Sequence, residues 1–405
     1  MTELPEGWHL KIIGDLCGQV EKIDPANLDR DTFMYLDIGA LEPSSSSLEN
    51  VEPISTTNAP SRARQLIREG DSVFSTVRPY MKKVAYIPRE FDGEIASTGF
   101  CVLRPKVEKL NPKYLFYFLL SDQLLDQVLP LQRGVSYPAI RDNDLKSALL
   151  PLPSLLEQQK IVEILEDHLS RLDAALADVK QAKLKAAQFR RSLLHAAFTG
   201  NLTSDGTHLI IDVPNGWDKK KMDEIGQYLN GKAFKSQDWR TSGRPIIRIQ
   251  NLTGSGEEYN YFQGEIEERY VVKPGDLLFS WSATLGTYIW QGPEAVLNQH
   301  IFKVESLIDK RFHRYLLDFK IQEMLSKTHG SGMVHITKKS FDAIEVSIPP
   351  LTEQQKIVAI LEDHLSRLDA SVAIADAMEK QSASLRRSLL QAAFTGQLTK
   401  EVASV

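Results

Sequence analysis

The apolar positions of the chain fall into two kinds of pattern. In two long stretches they recur at alternating spacings of three and four residues. Val162, Leu165, Leu169, Leu172, Leu176 and Val179 form one such row, and Val358, Leu361, Leu365, Leu368, Val372 and Ala375 form the other. That spacing is a heptad seam and predicts a long helix in each stretch. The seam fades at Lys183 and Glu379 and recovers at Leu193 and Leu389. Ser154-x-x-Glu157 and Thr352-x-x-Gln355 read as capping boxes at the helix starts. Gly200 and Gly396 read as left-handed caps at the ends. Arg190-Arg191 and Arg386-Arg387 sit near those ends, where the helix dipole favours cations. Each helix would run about 40 residues, or about 60 Å.

The two stretches are copies. Residues 155–203 align without a gap on residues 351–399, and about two thirds of the positions are identical. A helix with one apolar seam cannot bury it alone, so the other copy is the natural partner. A globular segment must fit between them, which favours an antiparallel pair.

The segments before each copy have diverged but keep shared landmarks. Leu4-Pro5-Glu6-Gly7-Trp8 echoes Val213-Pro214-Asn215-Gly216-Trp217, and Gly70–Ser75 echoes Gly275–Ser280. Short β-rich runs mark strands at Met34–Ile38, Lys83–Ile87, Phe100–Leu103, Ile246–Ile249, Asp276–Ser280 and His300–Val304. Helical patterns cover Pro112–Leu120 and Lys310–Leu325, and Asn201–His208 reads as a linker. The expected fold is therefore α/β. Two mixed α/β domains (1–153 and 213–349) are separated by two long helices (154–200 and 350–396) that pair as an antiparallel coiled coil. A linker (201–212) and a C-terminal tail (397–405) complete this pseudo-twofold tandem repeat.

Composition narrows the function. At 42% hydrophobic and 25% charged, the chain is ordinary globular protein. A net charge of -5 excludes coating nucleic acid by bulk charge alone. Cys17 and Cys101 are the two cysteines, too few for a disulfide scaffold or a four-cysteine zinc site. No signal-peptide pattern and no run of about 18 apolar residues is present, so a cytoplasmic protein is expected.

Catalytic motifs are approached but not completed. Asn111-Pro112-Lys113-Tyr114 resembles the Asn-Pro-Pro-Tyr loop with which amino methyltransferases hold a flipped base. The second proline and a glycine-rich cofactor loop are missing, and a helix start with Pro112 in its first turn is the better reading. Gly226–Ala233 has the spacing of a phosphate-binding loop but ends in Ala rather than Ser or Thr, so it reads as a surface loop. His168 and His364 recur at equivalent helix positions and read as solvated flanks of the seam. No nucleophile triad is legible.

In duplicate and in this order, the landmarks resemble one family. The Leu4–Trp8 and Val213–Trp217 blocks, the two Gly-Asp blocks, Pro-x-x-x-Glu-Gln-Gln-Lys-Ile-Val from Pro153 and from Pro349, and Ala-Ala-Phe-Thr-Gly-x-Leu-Thr at Ala196–Thr203 and Ala392–Thr399 span nearly the whole chain. They are similar to the specificity (S) subunit of type I restriction–modification systems. The resemblance implies two target-recognition domains, each reading half of a split, asymmetric double-stranded DNA sequence. It implies helices that set the unread gap and dock two methyltransferase (M) subunits. Those subunits would bring S-adenosylmethionine and methylate adenine at N6. Restriction (R) subunits would add ATP- and Mg-dependent translocation and cleavage. The chain itself would hold no cofactor, no metal and no catalytic residue, and it would not act at a membrane. Two other readings remain open on the residues alone: a self-sufficient methyltransferase or nuclease built around Asn111, and a coiled-coil adaptor with no DNA role.

Base reading needs polar side chains at base edges, and positioning needs cations at phosphates. In the first domain the candidates are Arg62, Arg64, Arg78, Tyr80, Lys82, Lys83, Arg133, Tyr137 and Arg141. In the second they are Arg248, Gln250, Asn251, Trp281, Ser282, Thr284, His300, His335 and Lys338. Arg78 and Tyr80 head the first group, Arg248 and Asn251 the second. Residues 1–150 hold 17 basic and 21 acidic side chains, and residues 204–350 hold 18 and 19. Neither domain is basic, so weak DNA binding is expected of the isolated chain.

Overall fold

Ser72–Ser75 shows how the sequence builds each domain. All four residues are buried, and alternate side chains enter different cores. Phe74 joins a core shared with helices, and Val73 joins one shared with a second sheet. Leu277–Ser280 repeats the device, with Leu277 and Phe279 on one side and Leu278 on the other. The computed structural model describes residues 4–42, 48, 50–204, 214–256, 258–282, 284–327 and 338–402.

The first domain contains strands β1 (His9–Ile12), β2 (Cys17–Gly18), β3 (Thr32–Leu36), β4 (Pro53–Ser55), β5 (Ala63–Leu66), β6 (Ser72–Ser75), β7 (Val84–Tyr86), β8 (Ile95–Ser97), β9 (Phe100–Pro105) and β10 (Leu149–Leu152). They form sheets of order β2-β9-β6-β7 and β4-β3-β8-β5 and a β1-β10 ribbon. The second domain repeats this with β11 (Asp218–Lys221), β12 (Gly226–Asn230), β13 (Arg244–Ile247), β14 (Tyr261–Phe262), β15 (Val271–Val272), β16 (Leu277–Ser280), β17 (Gly286–Ile289), β18 (Ala295–Leu297), β19 (Ile301–Ser306) and β20 (Glu345–Ile348). Its orders are β12-β19-β16-β17, β14-β13-β18-β15 and β11-β20. Among the described strands, each domain has one parallel pair, β3 with β8 and β13 with β18. The predicted helices form at Pro112–Leu119 and Lys310–Lys327. No described helix is long and apolar enough to cross a membrane.

Two long helices follow the domains, Leu155–Phe198 and Leu351–Thr395. The chain divides into two compact units whose boundaries fall inside both helices. One unit is Met1–Val179 with Asp376–Val405, and the other is Lys180–Ala375. Each unit therefore combines a domain, the start of its own helix and the end of the other. In the first, Val162, Leu165 and Leu169 share a core with Leu390, Ala393, Phe394 and Leu398. In the second, Val358, Leu361 and Leu365 share one with Leu193, Leu194, Ala197 and Phe198. Asp173 pairs with Arg386 and Glu157 with Thr399 within the first unit. Asp369 pairs with Arg190 and Glu353 with Thr203 within the second. Rising numbers on one helix meet falling numbers on the other, so the helices run antiparallel. The lower seam residues are less enclosed: Val179 and Ala375 are buried, while Leu172, Leu176, Leu368 and Val372 are half-buried.

Two expectations need correction. Ser154 caps the first helix through the Glu157 N–H (3.3 Å), but the second begins at Leu351, which leaves Thr352 inside it. Arg190 and Arg386 lie about two turns before their helix ends, and their partners are Asp369 and Asp173 rather than the helix dipole. The C-terminal tail is helical over Gln397–Val402. At the start of the linker, Leu202 N–H bonds the Ala196 carbonyl (3.0 Å) and the Thr203 hydroxyl bonds Glu353. The rest of that linker, and the serine cluster Ser44–Ser47, lie outside the described residues. Gly200 and Gly396 take the expected left-handed conformation at φ 78° and 73°. A side chain at Gly396 would run into Pro5.

The repeated Glu-Gln-Gln motif also acquires a physical role. Gln158 is buried; its amide accepts from Asn111 N–H (2.8 Å) and donates to the Pro153 carbonyl (3.0 Å). Gln354 does the same with Asp309 N–H (3.0 Å) and the Pro349 carbonyl (2.8 Å). Each thus ties a domain helix to the start of a long helix. Gln158→Ala strands a buried donor and acceptor, so thermal melting should show the first unit destabilised by about 2 kcal/mol.

Candidate nucleic-acid interface

In the first domain, one end of the sheets gathers several chain segments. Thr98 N–H bonds the Arg62 carbonyl (2.8 Å), and Thr76 N–H bonds the Gly99 carbonyl (3.0 Å). Ile140 N–H bonds the Thr76 carbonyl (2.9 Å), and Arg78 N–H bonds the Pro138 carbonyl (2.7 Å). Arg62, Arg78, Tyr80 and Tyr137 thereby share one surface. Arg78 and Lys82 bracket a tight turn at φ 50° and 46°. Left-handed backbone at a non-glycine residue costs about 1–3 kcal/mol and persists where the surroundings over-determine it. The Arg78 guanidinium lies 5.2 Å from the Tyr137 ring centroid, within cation–π range. Tyr80 is 51% exposed.

The other candidates of this domain divide by their partners. Lys82 is drawn to the Leu120 carbonyl (2.8 Å) and Asp122 (2.6 Å), and Lys83 to the Ile38 carbonyl (3.0 Å). Arg64 bonds the Ala63 carbonyl (3.0 Å) and reaches Asp24 (3.5 Å). Arg133 pairs with Asp144 (2.5 Å), and its hydrogen bond holds that carboxyl below the usual range. Asp144 also accepts from the Arg141 N–H (2.8 Å), while the Arg141 side chain is exposed. Lys82, Lys83, Arg64 and Arg133 therefore serve the local fold.

The second domain assembles a corresponding surface at the C-terminal ends of its parallel strands β13 and β18. Arg248 follows β13 and Asn298 follows β18, joined by an Asn298 N–H bond to the Ile247 carbonyl (3.1 Å). Lys232 N–H bonds the Leu297 carbonyl (2.8 Å), and Gln299 N–H bonds the Lys232 carbonyl (3.0 Å). Trp281 N–H bonds the His300 carbonyl (3.2 Å), and its indole donates to Asn230 (3.2 Å). His300 is left-handed at φ 73°, with its ring 5.1 Å from Trp281. The Arg248 guanidinium stands 5.5 Å from the Trp239 ring centroid. Gln250 and Thr284 are exposed and Ser282 is half-buried. Lys338 pairs with Asp342 (2.7 Å), and His335 lies outside the described residues.

Asn251 is spent within its own loop. Its amide accepts from Arg248 N–H (3.0 Å) and donates to the Gly256 (3.1 Å) and Glu258 (3.0 Å) carbonyls. Two residues of this surface escaped the sequence reading. Trp239 is a lone indole in a polar run and could have been flagged on that ground. Lys232, 5.8 Å from the rings of Phe234 and Phe262, lies in the Gly226–Ala233 segment that was read only as an incomplete phosphate-binding loop, and Phe262 is distant in sequence.

Neither near-miss motif forms a catalytic loop. Asn111 caps the Pro112 helix by accepting from Lys113 N–H (2.9 Å) and Tyr114 N–H (3.2 Å). Tyr114 is buried, with its hydroxyl on the Pro151 carbonyl (2.7 Å), so no base can stack on its ring. The Gly226–Ala233 segment is mostly strand β12 rather than the expected surface loop, because Gly226–Asn230 pairs with β19. The glycine at 226 makes room for His313, which a side chain there would meet at 2.8 Å. His168 and His364 are exposed on their helices.

The family described as "Type I restriction modification DNA specificity domain" matches residues 5–185 and 214–376. The chain belongs to the family of type I restriction–modification specificity subunits. Two curated members illustrate the similarity. The specificity subunit of the EcoBI type I enzyme (Escherichia coli) is 30% identical over 47% of this chain, and the match spans 41% of that subunit. The putative MjaX specificity subunit (Methanocaldococcus jannaschii) is 21% identical over 98% of this chain and 95% of its own. Among solved structures, a chain from work on assembly and conformational transition of the type I R-M system superposes with TM-score 0.82. It is 29% identical, over 98% of this chain and 99% of that one. The HsdS subunit of Thermoanaerobacter tengcongensis gives 0.59 at 30% identity over 98% of both chains. In this specificity-subunit fold, the two loop surfaces occupy the diverged domains, while the repeated sequence lies in the helices.

Proposed function

We propose that this chain is the DNA-reading, non-catalytic subunit of a type I restriction–modification complex. Each domain reads one half of a bipartite, asymmetric duplex target through the loop surface described above. The antiparallel helices set the unread gap, and their near-identical sequences offer equivalent docking faces to two methyltransferase subunits. Those partners supply S-adenosylmethionine and methylate adenine at N6. Restriction subunits, with ATP and Mg, add cleavage. The observation that carries this reading is the contrast between repeated helices and diverged loops on one domain topology: two specificities on one scaffold. Half-sites read from one face of DNA lie about 34 Å apart, within the reach of a helix about 60 Å long. Because neither domain is basic, the methyltransferase subunits complete the grip on DNA.

Selection from a randomised duplex pool by the complex with its methyltransferase tests this. Two specified blocks flanking an unspecified gap are expected; recovery of an unbiased pool contradicts it. Arg78, on the cationic rim of the first surface, should contact phosphate. Arg78→Asn removes the charge while tolerating left-handed backbone. It should weaken all duplexes alike and lower the slope of log K against log salt by about 0.9. An unchanged slope removes Arg78 from the interface.

A further inference from the structure

We infer that the loop tip Gly134–Tyr137 is the thymine-reading element of the first domain, with Val135 seated on the C5 methyl of a thymine in the major groove. The inference rests on the DNA-reading role proposed above and assigns a specificity-determining residue within it. Val135 is fully exposed and Tyr137 is 73% exposed. An exposed apolar pair in a floppy loop would carry little meaning, but this loop is held at its base. Arg133 and Ala139 exchange both main-chain hydrogen bonds (2.9 and 3.0 Å), as a narrow pair in a β-ribbon does. Ala139 bridges Val77, and Pro138 accepts from Arg78 N–H. Gly134 turns the chain at φ 90°, where a side chain would crowd the Tyr137 carbonyl at 3.1 Å. The Arg133–Asp144 pair braces the same base.

The tip thus presents an isopropyl group, the Ser136 hydroxyl and an aromatic ring backed by Arg78 on a braced ribbon. The major groove admits a two-stranded ribbon, and the thymine methyl is its apolar feature; the minor groove offers none. Exposed Arg141 follows the tip, and Arg78 lies beneath the ring, which suits the phosphates on either side of a groove. A protein partner would favour a broader apolar face than one valine and one tyrosine.

The experiment uses the full chain in complex with its methyltransferase. The duplex selection is run for the wild type and for Val135→Ser, whose site is fully exposed and leaves the core untouched. The substitution should relax one thymine position in one half-site by about tenfold and leave the other half-site unchanged. Replacing that thymine with deoxyuridine should weaken the wild-type complex by a similar factor and have no further effect on the variant. A motif unchanged by Val135→Ser overturns the assignment. So does weaker capture of the methyltransferase with the motif intact, which would make the tip a protein contact. A wild-type complex that enriches no motif overturns the DNA-reading role itself.

Discussion

Phe394→Ala should destabilise the first unit by about 3–5 kcal/mol while leaving the second nearly unaffected. Phe394 closes the second long helix, yet it is fully buried against Tyr114 (5.2 Å between ring centroids) and Phe118 (5.1 Å) of the first domain. Both contacts are edge-to-face, a geometry that adds to the area the ring buries. Phe198, the equivalent residue of the first helix, packs on Phe312 (5.3 Å) and Phe319 (5.2 Å) of the second domain. Hydrogen exchange separates the two units. In Phe394→Ala, amides of 112–119 and 72–75 should exchange faster, while those of 277–280 hold. Phe198→Ala should reverse the pattern. Faster exchange in 277–280 on losing Phe394 would mean that each helix serves only the domain before it.

Acidification should act on the second unit through His313. Its ring is buried, with one nitrogen on the Tyr228 hydroxyl (2.6 Å) and the other on the Ser306 hydroxyl (2.9 Å). Burial disfavours the cation and pushes the imidazole pKa down to about 4, from the 6.5 of an exposed ring. Between those values the unfolded chain holds a proton that the folded one lacks. This stabilisation is therefore complete above pH 6.5 and is lost as the pH falls toward 4. The loss is about 1.4 kcal/mol per unit, or about 3 kcal/mol in all. Urea titrations at pH 7 and pH 4.5 measure it. Carboxylates titrate too, so the informative quantity is the difference from His313→Gln, which should lack this part of the slope. Equal pH dependence in both proteins would show that His313 is not kept neutral by the fold.

The helices were legible because their signal is periodic and repeated. The seam and the terminal glycines needed no distant partner. The crosswise arrangement was only half legible. The heptad pattern asks for an apolar partner, and Val162 and Leu165 find it in a domain core together with the far end of the other helix. The Gly-Asp block was visible as a repeat, and its reason came with the structure. Asp71 accepts from Arg68 N–H (2.9 Å) and grips Arg104 (3.0 and 2.9 Å), locking the turn before β6. The loop surfaces were least legible. A cation reads the same whether it meets solvent or a carbonyl forty residues away, so Lys82 and Lys83 stood among the candidates with Arg78 although each reaches a main-chain carbonyl of its own domain. The local role of Asn251 was hidden for a similar reason, since the carbonyls its amide meets close a loop that no pattern announces.

Methylome sequencing in a methylation-free host bears most directly on whether this chain confers DNA specificity. The host would express the neighbouring methyltransferase with and without the chain. Adenine-N6 methylation at a split motif, present only when the chain is present, is the expected result. Methylation that ignores the chain, or none despite a stable complex, would contradict it.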